Sequence, residues 1–135
     1  MPRIAPLLLV LASLLPVAAA TQGPGPAFLG EPDAPRITAL RSGVIAEVKK
    51  GRGGRSLGFR ITLDDGTRGY FKPKQSFSAA HWYSELAAYY LDRELGFGRV
   101  PPTTGRRFEW SALKKAAGGD DRVSELGIAK DGTIK

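Results

Sequence analysis

The chain has 135 residues, a formal net charge of +7, one histidine and no cysteine. That is material for one small domain, with no disulfide, no thiol nucleophile and no ordinary ligand set for zinc. The basic balance favours anionic partners such as phosphates, nucleotides, acidic polymers or lipid headgroups, although solubility alone also explains it.

Residues 1–20 read as a secretory signal. Arg3 is the positive start, Leu7 to Leu15 the apolar core, and Ala18-Ala19-Ala20 the small-residue cleavage pattern. Pro6 and Pro16 interrupt the apolar run, which leaves it short for a membrane span. An uncleaved anchor is the alternative. A secreted or periplasmic location with no integral span after cleavage is the expectation. Residues 21–35 carry Pro24, Pro26, Pro32 and Pro35 with Gly23, Gly25 and Gly30, which predicts an extended or disordered tether. The folded domain is expected over 36–135.

Arg36 to Leu40 reads as a short strand before the turn at Ser42-Gly43. Val44, Ala46 and Val48 alternate with Ile45, Glu47 and Lys49, predicting a strand buried on one side. Gly51-Arg52-Gly53-Gly54-Arg55-Ser56 breaks the pattern. Leu57, Phe59, Ile61 and Leu63 then alternate with Gly58, Arg60, Thr62 and Asp64, the cleanest period of two in the chain. Asp65-Gly66 predicts a tight hairpin, and Thr67 to Lys72 the return strand, stopped by Pro73.

A helix is predicted from Ser78 to Leu95, capped by Ser76 or Ser78, with Trp82, Glu85, Leu86, Tyr89 and Tyr90 near one face and Gly96 as its stop. Pro101-Pro102 forces an extended connection. Arg106 to Trp110 predicts a strand, Ser111 to Ala117 one or two helical turns, and Val123 to Ala129 a last strand before the turn at Asp131-Gly132. Only Thr133-Ile134-Lys135 follow, so the second arm of that hairpin reads as interrupted. The sum is an α+β domain: a small antiparallel sheet of about five strands with one main helix, incomplete at its C-terminus.

Three features carry candidate chemistry. Lys72 ends a strand; if Phe71 faces the core, Lys72 points the other way, either into solvent or toward a phosphate it would neutralise. Lys74 shares that direction. Glu85 lies among bulky helix positions, where a carboxylate is costly unless paired. It either reaches water at the edge of the face or pairs with Lys72. The loop containing Gly51, Gly53 and Gly54 either wraps phosphates with backbone amides or is a flexible hairpin loop; it lacks the Gly-Lys-Ser/Thr ending of a Walker loop. His81, the lone histidine, reads as a surface residue. Asp64-Asp65 and Asp120-Asp121 read as turn residues, which leaves no metal site. No periodic interleaving of basic and aromatic residues points to nucleic acid.

Ser84-Glu85-Leu86-Ala87-Ala88-Tyr89-Tyr90-Leu91-Asp92-Arg93-Glu94-Leu95-Gly96-Phe97-Gly98-Arg99-Val100-Pro101-Pro102 resembles the helix-to-Pro-Pro segment of the secretory-pathway kinase family, of the Golgi casein kinase and glycosaminoglycan xylose kinase type. Phe71-Lys72-Pro73 resembles that family's nucleotide-lysine strand. Similar elements occur in bacterial proteins related to phosphatidylinositol 3- and 4-kinases. The resemblance covers about residues 40–108. It implies a kinase small lobe in which Lys72 contacts nucleotide phosphates and Glu85 orients Lys72; in some relatives the helix carboxylate also helps hold a divalent metal. The glycine-rich segment, which follows one strand and precedes another, fits a kinase-type cover loop better than a Rossmann turn. The absence of cysteine points to a bacterial relative. The family's catalytic and metal-binding aspartates lie in a large C-terminal lobe that has no counterpart here. The expectation is therefore a fragment or degenerate member, inactive alone, taking ATP or another nucleotide with a divalent metal only if a second lobe is supplied. The alternative is a non-catalytic basic module for an anionic or protein partner.

Overall fold

The computed structural model describes residues 25–76 and 81–135. The signal segment and the Ser78 cap lie outside them. Ten described side chains or so form the interior, and the alternation of residues 57–63 organises it. Leu57, Phe59, Ile61 and Leu63 are all buried, against Phe108, Leu113, Ala117, Leu126 and Ile134.

The elements run β1 (Ala27–Phe28), β2 (Glu31–Pro32), α1 (Asp33–Ser42), β3 (Ile45–Lys50), β4 (Phe59–Leu63), β5 (Arg68–Phe71), α2 (Trp82–Glu94), β6 (Phe108–Glu109), α3 (Trp110–Ala117), a 3₁₀ helix (Asp121–Glu125) and β7 (Thr133–Ile134). The main sheet is antiparallel in the order β3-β4-β5, and two-stranded ladders join β1 to β2 and β6 to β7. The α+β class is as expected from the sequence, but the strands are split among three small sheets.

The hairpin between β4 and β5 follows its sequence signal. Gly66 takes a φ of +82°, its N–H donates to the Leu63 carbonyl at 3.0 Å, and Asp65 accepts from the Thr67 N–H at 2.8 Å. Gly96 likewise ends α2 with a φ of +70°.

Several expectations are corrected. The described part of the predicted tether is folded: residues 27–32 form the β1–β2 ladder, and Asp33 opens α1. Arg36 to Leu40 is therefore helix; Pro35 fits the first turn, where a missing N–H costs nothing. In β3 the inward residues are Ile45 and Val48, while Val44 and Ala46 are exposed. A register shift between Ile45 and Glu47 moves the alternation by one residue. α2 starts at Trp82 with His81 at its N-cap and no capping side chain. The Ser76 hydroxyl instead meets the Glu125 carboxylate. Tyr90 lies off the inward face and is exposed. The predicted strand from Val123 opens as the 3₁₀ helix, because Asp120 caps it by accepting from the Arg122 N–H at 3.1 Å. Only isolated bridges follow, Leu126 with Gln75 and Ile128 with Ile134.

Candidate functional site

The site begins with the pleat of β5. Phe71 turns inward, its ring centroid 4.4 Å from that of Phe108 and 6.5 Å from that of Phe59. Lys72 follows, and its ammonium forms an ion pair with the Glu85 carboxylate from the first turn of α2. Both side chains are about half exposed, 46% and 49%. An ion pair in such water contact contributes little to stability. Its consequence is directional: it holds the lysine between the end of a strand and a helix.

Two cavities meet at this pair. The larger, of about 490 Å³, lies between β4, β5, α2 and the segment Val100 to Arg106. Leu40, Ile61, Leu63, Phe71, Leu86 and Phe108 give it apolar walls, while Arg68, Lys72, Arg106, Lys135 and Glu85 supply charge. Its size is that of a small-molecule site. The smaller, of about 70 Å³, is bounded by Ser56, Gln75, His81, Lys72 and Glu85. It connects the pair to the end of the glycine-rich segment. Lys74 lines neither cavity. Its N–H donates to the Lys135 carbonyl at 2.6 Å, its own carbonyl accepts from Gly127, and its stem runs beside Gly127.

Gly51, Gly53 and Gly54 line neither cavity either, and they serve different ends. Gly51 is buried against the Tyr70 hydroxyl, and its N–H donates to the Gly58 carbonyl at 2.8 Å. Gly58 also lies on the Tyr70 ring; a Cβ there would come within 2.6 Å of it. The root of the loop is thus shaped to admit a phenol. Gly53 and Gly54, with φ of +67° and +86°, make the tip.

Sequence reasoning missed the groups that hold this loop. Gln75 is buried and exchanges two hydrogen bonds with the Leu57 backbone, at 2.9 and 3.0 Å. Arg122 donates to the carbonyls of Gly54 at 2.8 Å and Ser56 at 3.3 Å. Asp120 in turn receives Arg122 at 2.7 Å and Lys50 at 3.1 Å, and those hydrogen bonds hold its carboxyl well below the usual carboxylate range.

A buried polar cluster at the far end of α2 was also missed. Arg93 donates to both Asp33 oxygens, at 2.6 and 3.2 Å, and to the Val100 carbonyl at 2.8 Å, and it contacts Asp92. The Tyr89 hydroxyl donates to Asp33 at 2.9 Å, and the Arg99 N–H donates to Asp92. Burial works to raise the Asp33 carboxyl, but the hydrogen bonds from Arg93 and Tyr89 leave it below its ordinary value. The only signal in the sequence was three polar residues at helical spacing, Tyr89, Asp92 and Arg93.

No protein-family model and no curated protein matches the chain. Solved structures do. A structure of the Golgi casein kinase with Mn and ADP bound aligns over 74% of this chain and 27% of its own, at 24% identity and a TM-score of 0.52. The chain has a kinase-like fold. A second structure of the Golgi casein kinase aligns over 59% of this chain and 22% of its own, at 27% identity and a TM-score of 0.48. The chain thus spans about a quarter of the length of the kinase structures it matches. The similarity to phosphatidylinositol-kinase relatives has no counterpart in these two matches. Among the described residues no helix is long and apolar enough to cross a membrane, and no group of three or more His, Asp or Glu side chains is placed to hold a metal.

Proposed function

We propose that this chain is an exported, kinase-like small lobe that holds nucleotide phosphates through Lys72, with Glu85 setting the direction of the lysine. The observation that carries this reading is the Lys72–Glu85 ion pair joining β5 to α2 in a kinase-like fold. A lysine ammonium neutralises phosphate oxygens as a point charge, and a carboxylate fixed to a helix keeps it aimed. The adjoining 490 Å³ cavity offers apolar walls for the remainder of a nucleotide. Lys74, Gly51, Gly53 and Gly54 stand farther from this arrangement, and Gly51 has already committed its N–H. The cation accompanying a nucleotide would draw ligands from beyond the described residues. Phosphoryl transfer would draw its base from there as well, so the lobe alone is proposed to bind and not to turn over. Export rests on the pattern of residues 1–20.

The test is thermal unfolding of the chain with and without ADP or ATP, in Mg²⁺ or Mn²⁺. The expected result is a nucleotide-dependent rise in Tm that disappears in Lys72→Ala. A ligand at one hundred times Kd stabilises by about 2.7 kcal/mol. Polyanion binding that is salt-sensitive and indifferent to Lys72, without any nucleotide shift, would replace this reading with that of a basic binding module.

A further inference from the structure

We infer that Asp33, Arg93 and Tyr89 are positioning residues for Glu85, acting as a buried pin that sets the tilt and the roll of α2. This deepens the phosphate-holding reading and rests on it for the role of Glu85.

The first observation is where α2 is anchored. Toward the sheet it faces the 490 Å³ cavity, which Trp82, Glu85 and Leu86 line. Glu85 supplies its side-chain hydrogen bond to the sheet side, and that bond is half exposed. At the other end Tyr89, Asp92 and Arg93 are nine-tenths buried or more. They engage Asp33 at the start of α1, the Val100 carbonyl and the Arg99 N–H. Among the described residues the helix is therefore held by buried polar groups at its C-terminal end, while its N-terminal end borders the cavity with exposed contacts, Glu85 to Lys72 and the Lys135 ammonium 4.4 Å from the centre of the Trp82 ring.

The second observation is helical phase. Glu85, Tyr89, Asp92 and Arg93 stand at i, i+4, i+7 and i+8, which is one face of the helix. Turning Tyr89 and Arg93 toward Asp33 turns Glu85 toward Lys72. The distance from Glu85 to Arg93 is eight residues, about 12 Å of rigid helix. A fork of two hydrogen bonds from Arg93 to Asp33 resists rotation in a way that an apolar contact does not.

The test reads Lys72 directly, without a nucleotide. The full chain is treated with limiting acetic anhydride, and the modification of Lys72 is measured by mass spectrometry relative to the exposed Lys130 in the same sample. Glu85→Gln should raise the Lys72 rate about two- to fivefold, the range that the energy of an exposed ion pair allows. Tyr89→Phe and Asp33→Asn should raise it in the same direction. Leu113→Ala, which opens the main core, should not, although it lowers Tm. Tyr89→Phe removes one hydroxyl and is the variant to read if Asp33→Asn does not fold. Pin variants that leave Lys72 as protected as in the wild type, while Glu85→Gln exposes it, overturn the inference. It is also overturned if Glu85→Gln has no effect, since the pair would then hold nothing. Pin variants that release Lys72 in a protein showing no nucleotide-dependent Tm shift would uphold the pin and sink the nucleotide reading alone.

Discussion

Asp33 shows how much a single buried carboxylate can carry here. It is 3% exposed, sits in a segment with the composition of a linker, and is the hub for Arg93 and Tyr89. Nothing in Pro32-Asp33-Ala34-Pro35 advertises that role, because the partner lies 60 residues away. Glu85 was legible for the opposite reason: its partner Lys72 is 13 residues away, directly after the strand that precedes the helix. The carboxyl of Asp33 has its folded pKa depressed, so its contribution to stability is fully present above its unfolded value, about 3.9, and is lost as pH falls through the lower folded value. Asp33→Asn removes that linkage. The expected outcome is a loss of about 1–3 kcal/mol at pH 7 and a shallower fall of Tm below pH 4 than in the wild type. Thermal unfolding from pH 7 to pH 2 checks both, and parallel curves for the two proteins would contradict the assignment.

At the scale of elements, what the sequence disclosed was what local rules decide. The β4–β5 hairpin, the stop of α2 at Gly96 and the inward row of Leu57, Phe59, Ile61 and Leu63 all follow from periodicity and turn chemistry. The failures came where tertiary contacts overrode those rules. α1 formed in a stretch read first as tether and then as strand; the register shift in β3 turned Ile45 inward in place of Val44 and Ala46 while Val48 kept its side; Asp120 wound Val123 into a 3₁₀ helix. The glycine-rich loop was legible as a break between two strands, but the packing of its root was not. Gly51 and Gly58 make room for Tyr70, and Gly53 and Gly54 make the turn. This separates in the laboratory. Gly58→Ala drives a methyl group into the Tyr70 ring and should cost about 1–3 kcal/mol. Tyr70→Leu in the same chain should recover part of that loss. Urea midpoints of the two single variants and the double variant decide it; strictly additive effects would mean that the two residues do not share the space.

The whole molecule is asymmetric about its cavity. On one side the inner face of the sheet, α3, β6 and β7 close a single core around Phe59, Leu113 and Ile134. On the other side α2 shows Tyr83, Tyr90 and Leu91 to solvent and borders the cavity with Trp82, Glu85 and Leu86. The last residues belong to the first side. Ile134 is 1% exposed and pairs with Phe108, and Lys135 accepts from Lys74 beside the end of β5. From the sequence Thr133-Ile134-Lys135 reads as an interrupted hairpin arm, because its ladder partner is 26 residues upstream in a strand two residues long. The consequence is a steep difference between two leucine-sized truncations. Ile134→Ala should cost about 2–5 kcal/mol, a large share of the 5–15 kcal/mol that a small domain has. Leu91→Ala, at 59% exposure, should stay within about 0.5 kcal/mol. Urea unfolding of both variants in a Trp82→Phe background, which leaves Trp110 as the single tryptophan, followed by fluorescence and by far-ultraviolet circular dichroism, checks this. Coincident transitions in the Ile134 variant, moved together to lower urea, are expected because Trp110 and the sheet share one core. A transition in which the helical signal survives the loss of the Trp110 environment would instead divide the molecule at the cavity, with α1 and α2 forming a unit of their own around Asp33 and Arg93.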